Sequence, residues 1–277
     1  MRIAISNIAW DREEDDQIAS CLSDFAVDAI DIAPGKYFPD SIKADGAEIA
    51  RVRTWWSTRG ISVTGMQALL FGTQGLNLFG TSAVQTRMLN HLDAVCRIAA
   101  GLGASRLVFG SPKNRDRGSV PTEDVDEIAV SFFQKLGDRA RSWGVQICLE
   151  PNPARYGANY LLNTSETARL VRRIGHDSIK LQLDTGSLTI NAEDPSLITA
   201  ENADIIGHVH ASEPDLVPLG DGSTQHAAVA SALARMSPSL VVSVEMLATK
   251  NEPHIPAVRR ALGVAVHWYR DNLPRSI

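Results

Sequence analysis

Short β-rich runs alternate with amphipathic helical stretches from one end of this chain to the other, and that alternation constrains the fold more than any other feature. Strands are predicted at about Ile3–Asn7, Ala29–Ala33, Ser62–Gln67, Arg106–Gly110, Val145–Glu150, Ile179–Asp184, Ile205–His210 and Leu240–Met246. Between them the apolar period lengthens to that of a helix, as in Ala83–Gly101, where Met88, Leu92, Val95, Ile98 and Ala99 share one face, and in Val125–Trp143. Thr164, followed by Thr167, Leu170 and Val171, marks a further helix start, and Asn251–Asp271 reads as a long closing helix. Strands separated by helices imply a parallel sheet, because parallel neighbours need a crossover connection. Eight such units close readily into a barrel. An open doubly wound sheet is the competing layout, but no GxGxxG follows the first strand and no composition shift or low-complexity linker marks a second domain. The expectation is an α/β protein, a single (β/α)8 TIM barrel occupying residues 1–277 as one domain.

A net charge of −5 argues against a nucleic-acid partner, whose binders carry a basic face. It leaves room for a small anion held by a few local cations. The three cysteines, Cys21, Cys96 and Cys148, form no metal-knuckle or CxxC spacing, and their odd number suits a reducing compartment. The first ten residues enter a strand directly, without a basic and then apolar leader, and no apolar run approaches the ~20 residues that span a bilayer. A cytoplasmic protein without a membrane partner is expected.

Four strand ends carry the chemistry. They read Ile147-Cys148-Leu149-Glu150, Leu181-Gln182-Leu183-Asp184, His208-Val209-His210 and Ser243-Val244-Glu245. The metal-capable residues lie 34, 26 and 35 positions apart, each about one β/α unit. Consecutive strands therefore deliver Glu150, Asp184, His210 and Glu245 to one C-terminal rim, where barrel enzymes build their sites. Three carboxylates and one imidazole suit one divalent ion per chain, Mn²⁺ before Mg²⁺, Co²⁺ or Zn²⁺. Alternate strand residues share a face, so Cys148, Gln182, His208 and Ser243 should point inward one layer below, where ligand-orienting partners are needed. A purely structural barrel would fill that layer with Val, Ile or Leu.

At these residues the chain resembles the xylose isomerase-like barrel superfamily, particularly its sugar phosphate isomerase/epimerase branch. The resemblance runs from the first strand to the closing helix. It rests most on Leu149-Glu150-Pro151-Asn152, Leu183-Asp184-Thr185-Gly186, His208-Val209-His210-Ala211-Ser212-Glu213-Pro214 and Val244-Glu245. The resemblance implies that all four rim residues hold a Mn²⁺-type ion, as in ketose 3-epimerases, and that Glu150 and Glu245 also exchange the proton at the reacting carbon. It implies a sugar or sugar-phosphate substrate and admits a homo-oligomer. Where family epimerases place a substrate-contacting His and Arg, this chain has Ser187 and Leu216, so the substrate stays open.

Other rim positions are candidate substrate contacts. Lys113, Arg115 and Arg117 after the fourth strand could clamp a phosphate or carboxylate. Trp10 could cover a sugar ring, Gln67 ends the third strand, Lys36 could reach a substrate oxygen, and Glu213 could position a hydroxyl. The run from Gln67 to Gly72 is too apolar for an ordinary loop and suits a lid or an oligomer contact. His226 is expected to begin a helix, with His91, His176, His254 and His267 structural. The leading expectation is a metal-dependent sugar isomerase or epimerase. Its competitors are a lyase dehydrating an inosose-like substrate, a phosphodiesterase, which would need further His ligands where Ala33, Gln67 and Ser187 stand, and a non-catalytic sugar-binding barrel.

Overall fold

The computed structural model describes residues 1–236 and 240–272. Eight parallel strands close into a barrel in sequential order: β1 (Arg2–Ser6), β2 (Ala29–Ile32), β3 (Ser62–Met66), β4 (Arg106–Phe109), β5 (Gln146–Leu149), β6 (Ile179–Asp184), β7 (Ile206–Ser212) and β8 (Val241–Glu245). β8 returns to β1 with Ile3 beside Val242 and Ile5 beside Val244, which closes the ring. The predicted strands hold to within one or two residues.

Nine α-helices pack outside among the described residues: α1 (Asp15–Asp24), α2 (Gly46–Ser57), α3 (Ser82–Leu102), α4 (Thr122–Ser142), α5 (Thr164–Ile174), α6 (Thr185–Ile190), α7 (Pro195–Asn202), α8 (His226–Met236) and α9 (His254–Val266). One more than the expected eight appears because the unit between β6 and β7 carries both α6 and α7. Their ends follow from local chemistry. Asp45 and Glu48 form a reciprocal capping box at the start of α2, Asn163 rather than Thr164 caps α5, and Gly103 ends α3 at φ 89°. α9 continues through a π turn to Asp271, so the closing helix starts three residues later than predicted. The apolar face read from α3 is sealed, with Met88, Leu92, Val95, Ile98 and Ala99 all at 0% exposure. Among the described residues no helix is long and apolar enough to cross a membrane.

Register fixes the level of each rim side chain. Gln182 lies beside His208 and Asp184 beside His210, while His210 pairs with Ser243 and Ser212 with Glu245. The strand staggering of a barrel thus brings residues from different strand positions to one height.

Candidate metal centre and its cavity

Glu150, Asp184, His210 and Glu245 converge at the C-terminal ends of β5 to β8, and one ligand atom from each lies within 4.8 Å of all the others. Donors about 2.0–2.3 Å from a shared ion would sit up to about 4.6 Å apart, so the cluster has the dimensions of an ion site. Nδ1 of His210 is 3.1 Å from both Glu150 Oε1 and Glu245 Oε2. The imidazole is wholly buried, and the acids face a cavity of about 870 Å³.

Three acids against one imidazole in a buried site leave an excess of negative charge. Burial and the charge of Glu245 raise Glu150 to about 7, and burial and Glu245 also raise Asp184. Burial would raise Glu245 too, but the charge and hydrogen bond of His210, with the Gln67 amide, hold it below its ordinary value. Burial works against a charged His210, yet Glu245 and Glu150 hold its pKa well above the ordinary imidazole value. A divalent cation would offset most of this charge and engage one atom of each residue. The residues fit one.

The orienting contacts differ from those expected. Asp184 is the N-cap of α6 and accepts the Ser187 N–H at 2.7 Å on Oδ1, while Ser212 donates its hydroxyl to Oδ2. Gln67 Nε2 donates to Glu245 Oε1 at 2.7 Å. Glu150 lies across Gly110, where an added Cβ would fall 2.0 Å from Oε2, so only glycine leaves room for that carboxylate. Cys148, Gln182, His208 and Ser243 are all buried one layer down, but none hydrogen-bonds a rim ligand among the described residues. Burial pushes the Cys148 thiol up to about 12, which keeps it protonated and inert. His208 instead pairs through Nε2 with Asp31 Oδ2 at 2.7 Å, and Thr64 donates to Asp31 Oδ1 at 2.9 Å. Asp31 also lies within 4.8 Å of a His210 ring nitrogen. Sequence reasoning missed Asp31, although an acid between Ile30 and Ile32 in a strand was a readable signal.

The family model described as xylose isomerase-like TIM barrel matches residues 22–268, nearly the whole chain. The protein belongs to that family. A D-psicose 3-epimerase solved in the presence of D-fructose superimposes with a TM-score of 0.81 over 98% of this chain and 100% of that one, at 18% identity. The IOLI protein, solved with a binding zinc atom, gives 0.76 over 97% and 98%, at 17% identity. At such identities these likenesses show the fold. Inosose dehydratase of Lacticaseibacillus casei is 34% identical over 89 residues, which is 32% of this chain and 28% of that enzyme, so the match spans under a third of either.

Against this xylose isomerase-like frame, the remaining candidates divide. Gln67 and Lys113 line the cavity. Trp10 is fully buried and donates its indole N–H to Asp15 at 2.8 Å, so it packs a loop and presents no face to the cavity. Arg115 is turned inward at 1% exposure, with Nη1 on the Glu150 carbonyl at 2.7 Å, and burial pulls its pKa down to about 10. Glu213 is likewise enclosed: Gly220 N–H and Thr224 N–H donate to it at 2.9 Å, and His226 Nε2 lies 3.0 Å away. Lys36 is held by the carbonyls of Asn7 and Trp10. His226 begins α8 as expected and bridges Glu213 to Tyr269. Ser187 and Leu216 both line the cavity, at the positions where the resemblance led one to look for His and Arg.

Proposed function

We propose that this chain is a divalent-metal-dependent isomerase or epimerase of a small sugar, working as one catalytic unit over its 277 residues. The observation that carries the reading is the buried cluster of three acids and one imidazole, sized for an ion, at the floor of an open cavity. Glu150, Asp184, His210 and Glu245 would hold the ion. Their oxygen-rich set suits Mn²⁺ best, and the zinc of the IOLI structure shows that a relative of this fold takes a divalent metal. Bound there, the ion supplies Lewis-acid stabilisation of the negative charge that develops on a substrate carbonyl oxygen.

The residues supply the proton chemistry. Glu245 and Glu150 stand three strands apart on the ring, so two carboxylates flank the space above the ligand cluster. One takes the proton from the carbon next to the carbonyl, and its electron pair moves into the enolate. The other returns a proton to the same carbon from the opposite face, inverting it, or to the neighbouring carbon, moving the carbonyl. Asp184, fixed through both oxygens by Ser187 and Ser212, and His210, wholly buried, serve as pure ligands. The same apparatus could expel a β-hydroxyl as water, and the partial match to an inosose dehydratase supports that second reading.

Solvent-deuterium exchange into a panel of ketoses, with Mn²⁺ added, tests the proposal. Wild type is expected to label one carbon-bound position, Glu150→Gln and Glu245→Gln to abolish labelling, and at least one of the two to keep its metal. Activity surviving in both variants would rule the mechanism out, and loss of water from the substrate would select the dehydratase reading.

A further inference from the structure

The cavity above the ligand cluster has two unlike halves. Its floor is polar, built from the acids with Gln67, Asn152 and Ser187. Its lining also carries an apolar set, Leu69, Leu70 and Phe71 from the loop after β3 and Leu216 and Leu247 from the loops after β7 and β8. Phe71 is 83% exposed and Leu247 52%, and both border the cavity. The backbone is held to this shape at a cost: Ala68 at φ 53°, Asp215 at φ 61° and Leu216 at φ 53° are left-handed non-glycine residues, and all three line the cavity. Strain of that kind persists where surrounding structure imposes it, and it gathers at ligand sites. At about 870 Å³ the cavity lies toward the upper end of the roughly 300–1,000 Å³ of sites for drug-sized molecules. A bare monosaccharide would fill only its floor.

Charge narrows the ligand further. Of the three cations that could have formed an anion clamp, only Lys113 lines the cavity. Arg115 is buried against the Glu150 carbonyl, and Arg117 hydrogen-bonds Thr122. Arg155, at the rim, is spent on Asp215, with Nη2 2.8 and 2.7 Å from its two oxygens. A phosphate would thus meet one exposed lysine in a cavity whose lining includes Glu150, Asp184 and Glu245.

We infer that the substrate is an uncharged ketose or cyclic polyhydroxy ketone carrying an apolar, ring-sized substituent, its oxygens on the acidic floor and its substituent against Phe71, Leu247 and the Leu69-Leu70 turn. This rests on the isomerase reading for the floor and goes beyond it for the wall. A phosphorylated sugar is disfavoured by the same placement of charges, with Lys113 the one Lys or Arg among the cavity-lining residues.

The test is a calorimetric binding panel of phenyl glycosides of several hexoses in both anomeric forms, each beside its methyl glycoside and the hexose 6-phosphate, run with and without Mn²⁺. Burying a phenyl ring against such a wall should tighten binding about tenfold or more over the methyl partner. Because Phe71 and Leu247 are exposed, the double variant Phe71→Ala/Leu247→Ala should fold normally, and the phenyl preference should fall to about threefold or less in it. The inference is overturned if no phenyl member outbinds its methyl partner, if a hexose phosphate binds tightest, or if the double variant keeps the preference. Metal content of wild type, read by elemental analysis, separates the two readings. A bound ion with no phenyl preference removes the wall alone, whereas absence of metal removes the isomerase mechanism and leaves the panel to judge the wall.

Discussion

Two acid–imidazole groups, centred on His210 in β7 and on Glu213 just after it, sit three residues apart and behave in opposite ways. Glu213 is enclosed at 1% exposure, and its contacts with two backbone N–H groups and His226 hold its pKa down to about 2 against the pull of burial. His210 sits among three carboxylates, where burial and the charge of Glu245 drive Glu150 up to about 7, and its own Nε2 has no partner among the described residues. In the first group a carboxylate has all the donors it needs, so it stabilises the barrel. In the second, carboxylates outnumber donors, which leaves a group that could take up a further cation. The difference teaches that residue type says little about role, and the balance of donors to acceptors says much.

That contrast can be broken most sharply at the ion. Elemental analysis of tag-free protein should find about one divalent ion per chain in wild type and in Glu213→Gln, and His210→Ala should weaken Mn²⁺ binding by at least about 100-fold. Equal metal loss in Glu213→Gln would merge the two groups into one. The next effect is on folding. Relative to its value of 4.5 before folding, Glu213 is lowered to about 2, so its contribution is fully present above pH 4.5 and lost as pH falls toward 2. Glu213→Gln should therefore cost on the order of 2–3 kcal/mol by urea unfolding at pH 7, and the gap to wild type should shrink progressively below pH 4.5. A gap that stays constant with pH would mean that packing, not the charge, is what Glu213 provides. The smallest effect concerns the layer beneath. Asp31→Asn, which removes the charge facing His208 and His210, should lower Mn²⁺ affinity about tenfold with little change in secondary structure. Unchanged affinity would make Asp31 a packing residue.

The strands and the convergence of the four rim side chains were legible because both obey a repeat: period two within a strand, and about one β/α unit between the rim residues. What was not legible depends on which way a long side chain turns. Arg115 and Lys113 share a loop, yet Arg115 folds back onto the Glu150 carbonyl and Lys113 faces the cavity, and spacing carries no information on that choice. Trp10 and Glu213 were read as rim residues for the same reason, and each found a polar partner below the surface, Asp15 and His226. The extra helix α6 went unseen because Asp184 both ends β6 and caps the helix, leaving no loop between them. The layer of Cys148, Gln182, His208 and Ser243 was correctly placed inside the barrel by parity. The partner of His208 is Asp31 from across the ring, which no local pattern reveals.

The double restraint on Asp184 has a kinetic consequence. One oxygen is tied to the first turn of α6 and the other to Ser212, so this carboxylate would need no reorientation to accept an ion. Among the described residues Glu150 has His210 as its only side-chain partner, and its carboxylate lies over the bare backbone of Gly110. If an ion binds there, Asp184 on β6 would meet it already held, and the β5 arm that carries Glu150 would be the part freest to shift. Dissociation would begin by that arm letting go, and the off-rate would belong to Glu150 and Gly110 while the standing geometry belongs to Asp184 and His210.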